Sequence, residues 1–194
     1  RIYHDSNNSY IQNETGTLFL YQGVDDGDIV LSCDDGSGGN TAYMTIDGSA
    51  TRIQVHKKML LDDSVEFRLG TGGDSYLTHN GSNFFLVNDT GDLTIKNSAN
   101  DKDIIFQSDD GSGGTQTYMW MDGSAANGTN TYTRMDDNSM MGWGTGFDMY
   151  MYHNGTNSYL TNSASDLYIN NIADDKDIIF QCDDGSGGLA TYFT

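Results

Sequence analysis

The sequence repeats itself, and that repeat limits the available folds more than any other feature. Asp34-Asp35-Gly36-Ser37-Gly38-Gly39 returns at 109–114 and again at 183–188, in steps of 75 and 74 residues. His4, His79 and His153 keep the same steps. Tyr43-Met44 and Asp47-Gly48-Ser49 recur 75 residues later as Tyr118-Met119 and Asp122-Gly123-Ser124, and Gly70-Thr71-Gly72 recurs 74 later as Gly144-Thr145-Gly146. Four independent landmarks in one phase make this a tandem array. The units are 1–75, 76–149 and a partial third at 150–194. Arrays need atypical capping repeats, and no terminal unit here is atypical in that way, so the chain reads as a window on a longer array.

Each unit is punctuated for strands. Across 76–153 the spacing predicts strands at Tyr76–His79, Asn83–Val87, Asp92–Lys96, Asp103–Ser108, Thr115–Met121, Thr131–Met135, Met140–Trp143 and Met149–His153. Each is bounded by Asn-Gly, Asp-Gly, Thr-Gly or Gly-Gly, which supply the positive φ of tight turns. Strands every 8 to 12 residues mean an all-β fold. No stretch carries a capped 3.6-residue apolar stripe; Gln54–Asp62 has room for one helical turn, though its Val55, Met59 and Leu60 suit a strand equally. The acid supports this reading: 28 residues are Asp or Glu, and only Glu14 and Glu66 are glutamate. Asp favours turns because its short side chain competes for nearby backbone groups. Proline is absent and glycine lacks a three-residue period, so the chain is not collagen-like.

The pattern also bears on assembly. Leu93/Ile95 alternate with polar residues, which implies one buried face. Ile104-Ile105-Phe106 and Ile178-Ile179-Phe180 are continuous, which implies burial on both faces. Such short runs give a thin core with many open edges. The expectation is an elongated fibrous array of β-hairpin-rich repeats wound as a parallel homotrimer, with Ile104/Phe106 and Ile178/Phe180 facing inward. The alternative is a single-chain β-solenoid.

At several of these phrases the chain resembles a known family. Ile2-Tyr3-His4-Asp5 with Asn8-Ser9-Tyr10-Ile11, Thr90–Ile95, Asp101–Gln107 and Asp109–Gly114 are similar to repeats in tail-fibre and structural proteins of phages infecting aquatic bacteria. The resemblance covers the whole chain. It implies a long homotrimeric fibre projecting from a virion toward its host. Many such proteins end in a self-cleaving chaperone domain; nothing here matches it, and no catalytic residue carries over. The first unit departs from the pattern, with Tyr21–Asp28 where later units have Asn-Ser-Ala-Asn-Asp-Lys-Asp or a close variant.

Candidate sites follow from residue chemistry. Paired carboxylates at a sharp Gly turn offer hard oxygen ligands, so Asp34, Asp35, Asp109, Asp110, Asp183 and Asp184 are candidate calcium ligands, against the reading of a solvated loop. No other cofactor is implied. The repeated histidines are hairpin-turn residues with a structural hydrogen bond, or a metal-binding ring about a three-fold axis; His56 is not repeated and has no role. Cys33 and Cys182 share one phase, two units apart, which argues against an intrachain bridge and for two buried small residues. Glycosylation sequons occur at Asn7, Asn13, Asn80, Asn88, Asn127 and Asn154. Tyr118, Trp120, Trp143, Tyr150 and Tyr152 offer rings for sugars or a sheet face for packing.

The formal charge of −19 leaves nothing to neutralise phosphates along a groove, so nucleic acid is not an expected partner. No apolar run is long enough for a membrane helix. Glycosidases need two carboxylates at a set separation, one with a raised pKa. Turn aspartates would instead be ionised, and the chain is not expected to be an enzyme. The expected function is a structural fibre shaft at an extracellular or virion surface, positioning a receptor-binding tip. The alternatives are a glycan-binding adhesin and a cellular extracellular filament.

Overall fold

A computed structural model describes residues 1–193, and the described chain is all-β: it has no helix, and strand makes up 39% of it. It divides into two compact units, Arg1–Leu93 and Thr94–Thr194. The first holds β1 (Ile2–His4), β2 (Ser9–Ile11), β3 (Ile29–Asp34), β4 (Asn40–Asp47), β5 (Arg52–Val55), β6 (Phe67–Leu69), β7 (Ser75–His79) and β8 (Phe84–Asn88). The second holds β9 (Ile104–Asp109), β10 (Thr115–Asp122), β11 (Tyr132–Arg134), β12 (Met141–Trp143), β13 (Met149–His153), β14 (Ser158–Asn162), β15 (Phe180–Asp183) and β16 (Leu189–Phe193).

Every strand pairing is antiparallel and between neighbours in sequence. The first unit is the hairpin β1-β2 followed by the meanders β3-β4-β5 and β6-β7-β8. The second is the meanders β9-β10-β11 and β12-β13-β14 followed by the hairpin β15-β16. One repeat is thus two three-stranded meanders. The registers agree between copies: Asp34 lies opposite Asn40, Asp109 opposite Thr115 and Asp183 opposite Leu189. A β-bulge falls in one phase in all three, leaving Tyr43, Tyr118 and Tyr192 without an opposite residue. Bulges re-aim a side chain and raise the local twist, and Tyr43 and Tyr118 use this to donate to the Asp34 and Asp109 carbonyls, at 3.1 and 2.8 Å.

Seven of the eight strands expected across 76–153 form, within a residue or so at each end. Asp92–Lys96 does not, because nothing among the described residues pairs with it. Gln54–Asp62 holds no helical turn; Gln54 and Val55 close β5 instead. The constant offset also hides a local exchange. The β4–β5 turn joins Asp47 to Arg52, whereas the β10–β11 turn runs from Asp122 to Tyr132. The next connection is shorter in return, 135–140 against 56–66, so the landmarks on either side stay in phase.

Among the described residues, no apolar side chain is buried. Whatever faces the sheets turn to one another, they enclose no apolar core of the kind two packed layers make. The exposed surface is 16072 Å² for 21.2 kDa. A globular monomer of that mass would expose about 9,000 Å², and two separate globules of half the mass about 11,000 Å². The continuous runs are accordingly not buried on both faces: Ile104 and Ile178 are half-buried, while Ile105, Phe106, Ile179 and Phe180 are exposed.

Two backbone segments approach closely at a repeated glycine. A Cβ on Gly48 would lie 2.4 Å from the Gly27 carbonyl oxygen, and one on Gly123 2.4 Å from that of Lys102. The amides of these glycines donate to the Asp28 and Asp103 carboxylates at 3.0 and 2.8 Å, tying the turn to the start of the meander. Gly48→Ala and Gly123→Ala are each expected to cost about 1–3 kcal/mol, since backbone cannot yield as a side chain can. Urea unfolding of each variant measures this, and an unchanged midpoint would show that the contact is dispensable.

Candidate functional site

The strongest sequence motif forms the loop between the first two strands of its meander. In Asp34–Gly39, Asp35 donates its N–H to the Gly39 carbonyl at 2.9 Å, closing the loop. Its carboxylate turns inward: Oδ1 accepts from Ser37 N at 2.8 Å, Ser37 Oγ at 3.0 Å and Gly39 N at 3.1 Å. Asp110 and Asp184 do the same with the amides of Ser112 and Gly114, and of Ser186 and Gly188, all between 2.7 and 3.0 Å. The preceding aspartates, Asp34, Asp109 and Asp183, accept from Gly36, Gly111 and Gly185. Gly36 and Gly38 take φ of 87°, which glycine adopts without strain. Accepted amide hydrogen bonds favour the ionised form. The Ser and then the Gly amide therefore hold Asp35, Asp110 and Asp184 below the usual carboxylate value.

The repeated Asp-Gly-Ser turn works similarly. Asp47 Oδ1 accepts from Ala50 N at 2.9 Å and Ser49 Oγ at 2.8 Å. Asp122 repeats both bonds with Ala125 and Ser124 and adds Arg134, whose Nη1 donates to Oδ2 at 2.7 Å. Asp122 is 5% exposed, and the Arg134 guanidinium, ahead of Ser124 and Ala125, holds it far below the usual carboxylate range. Arg134 also lies 5.2 Å over the Trp120 ring, so one face of that ring is already covered.

The repeated histidines sit beside their turns. His4 Nδ1 is 3.3 Å from Ser9 Oγ, and His153 Nδ1 is 3.1 Å from Ser158 Oγ. His79 Nδ1 is 2.9 Å from Asp63 Oδ1 and 3.1 Å from Gly81 N. One ring nitrogen cannot donate to the first and accept from the second at once, and the shorter contact to the carboxylate is the better bond. The structural hydrogen bond is therefore present in all three copies. His56 has a partner that its lack of repetition did not signal: its Nε2 is 2.9 Å from Thr45 Oγ1, and Thr45 is buried.

Cys33 and Cys182 correct an expectation. Both are free and exposed, in keeping with the lack of any buried apolar side chain among the described residues. The sequon asparagines divide into two groups. Asn80, Asn127 and Asn154 use Oδ1 to cap their own turns. Asn13 and Asn88 instead donate Nδ2 to turn carbonyls at Gly16, and at Thr90 and Gly91. Asn7 only donates its backbone amide to Asp5. Among the aromatics, Tyr152 stacks on Tyr159 at 4.8 Å and is tilted against Tyr150 at 5.9 Å. Tyr3 stacks on Tyr10 at 4.7 Å in the matching phase. Trp143 is exposed.

Among the described residues, no three His, Cys, Asp or Glu side chains gather where they could hold one metal ion. In each Asp-Asp-Gly-Ser-Gly-Gly loop the inward carboxylate oxygen is already an acceptor for the loop's own donors. A cation at that same oxygen would compete with those donors. No protein-family model, curated protein or solved structure matches this chain.

Two predictions follow from the loop geometry. The folded-state pKa values of Asp35, Asp110 and Asp184 lie below the ordinary 3.8. Their stabilisation is therefore complete above about pH 5 and is lost as pH falls through the lowered values. Replacing all three by Asn keeps an oxygen acceptor but removes the titration. The fall in melting temperature between about pH 5 and about pH 2 should then be shallower than in the wild type. Separately, a chelator is expected to leave the melting temperature unchanged. A drop would reveal a cation bound only by the native state.

Proposed function

We propose that this chain is a shaft segment of an extracellular fibre of the phage tail-fibre kind, spacing a receptor-binding tip from the virion, and that it works as a parallel homotrimer. The observation that carries this reading is the contrast between a turn framework reproduced copy after copy and the absence of any buried apolar side chain. A chain with so little core is marginal alone. Identical chains in register cover its sheet faces and close its edges. Ile104/Phe106 and Ile178/Phe180 are the side chains assigned to the shared interior. The alternative, a single-chain solenoid, would stack its sheets on each other and enclose apolar side chains between them, and the lack of a buried apolar side chain among the described residues favours the trimer.

The reading leaves no part for catalysis. The carboxylates nearest a repeated role, Asp35, Asp110 and Asp184, are acceptors held below the usual carboxylate value, whereas a general acid needs a raised one. A cellular filament or adhesin built on the same assembly differs in what carries it, which electron microscopy of the intact particle distinguishes. Native mass measurement on the purified chain is expected to give a trimer that resists mild denaturant. A stable monomer with a protected core would overturn the assembly.

A further inference from the structure

Three seven-residue stretches, 17–23, 92–98 and 166–172, run without turn or bend and belong to no sheet. They occupy one phase of the repeat. Each carries a pair of alternating apolar side chains, Leu18/Leu20, Leu93/Ile95 and Leu167/Ile169, exposed by 44 to 63%. Among the described residues, none of the backbone N–H or C=O groups of 17–21, 92–96 and 166–170 is paired within the chain.

These stretches are built, not loose. A residue of positive φ precedes each one: Gly16, Gly91 and Ser165. Another follows each: Asp26, Asp101 and Asp175, at 54 to 56°. Side-chain caps hold both ends. Asn13, Asn88 and Asn162 donate Nδ2 to the carbonyls of the preceding turn. At the far end Asn97 and Asn171 accept from Ala99 and Ala173. In the first unit, where the sequence departs from the others, Gln22 makes the matching bond to Val24 at 3.0 Å. The cap survives a change of residue. A chain that fixes both ends of an apolar, strand-patterned stretch in three copies, yet supplies no backbone partner, leaves that partner to come from outside.

We infer that these stretches are docking strands whose backbone pairs with a second copy of this chain. This rests on the homo-oligomer proposed above and names the segment that makes the contact. Two observations select a second copy as the occupant. The partner must present pairing groups at steps of 75 and 74 residues, which an identical chain does. The chain also exposes about 5,000 Å² more than two globules of half its mass each would, an amount on the scale of obligate homo-oligomer interfaces. Charge points the same way. Residues 17–23 carry none and 166–172 a single Asp, in a chain of −19, so like chains meet where repulsion is least.

Native mass measurement combined with amide hydrogen exchange tests the inference. Amides within 17–21, 92–96 and 166–170 are expected to exchange at least ~100-fold more slowly in the oligomer than in free peptide. The triple variant Leu18→Asp, Leu93→Asp, Leu167→Asp is expected to dissociate while the β7–β8 and β13–β14 hairpins keep their protection, showing that the meanders still form. An oligomer whose stretches exchange at free-peptide rates, or a triple variant that stays assembled with exchange unchanged, overturns the docking strands and leaves the homo-oligomer standing. A monomer overturns both.

Discussion

A side-chain oxygen that accepts from backbone amides two to four residues further on is the interaction from which the rest of this fold is assembled. Asp5 does this for Asn7 and Asn8, Asn80 for Ser82 and Asn83, and Asn154 for Thr156 and Asn157. Asp35, Asp110 and Asp184 do it for the glycine-rich loops. Each bond is local, satisfies amides that no strand partner would reach, and fixes where the chain reverses. Because each turn is set by its own side chains, the strand registers between turns follow with no core to align them.

That division of labour leaves an unusual balance. Neighbouring strands supply the backbone pairing, turns supply the register, and hydrophobic burial inside the chain supplies little, since no apolar side chain is enclosed. Three-stranded meanders without a covering layer lie at the lower limit of independent stability. In the proposed homo-oligomer a second copy covers the apolar faces and supplies backbone to the repeated stretches around Leu18, Leu93 and Leu167. The acidic surface is consistent with that proposal. Charge concentrated in exposed turns would keep such assemblies apart while leaving the apolar stretches nearly free of it.

Where the two full copies differ in spacing, the differences fall in the connections around β5 and β11. The β10–β11 turn is longer than β4–β5, and the following connection is shorter. One outcome is a close ion pair between the exposed Arg134 and the buried Asp122, at 2.7 Å, that the first unit replaces by a looser one at 3.4 Å between Arg52 and Asp47. The bulge tyrosines Tyr43 and Tyr118 show the opposite behaviour. Their position and hydroxyl bonds are kept in both copies, because the bulge aims the ring back over the glycine-rich loop.

Much of this was legible in the sequence because it is local chemistry. Asn-Gly, Asp-Gly and Gly-Gly placed the reversals, and the period placed the meanders, since turn geometry depends on a few adjacent residues. Other features were not legible because they depend on residues far apart in the chain or on what fails to meet. The alternation of Leu93 and Ile95 marked a strand, but a strand needs a partner, and only the tertiary structure shows that the chain provides none. The same holds for Cys33 and Cys182, read as buried and found exposed, and for the bond between His56 and Thr45. By itself the sequence determined where the chain turns and that it is all-β, because turn chemistry acts over two to four residues. Only the tertiary structure decided that the apolar side chains stay open, because burial depends on which surfaces meet, and among the described residues none meet closely enough to enclose one.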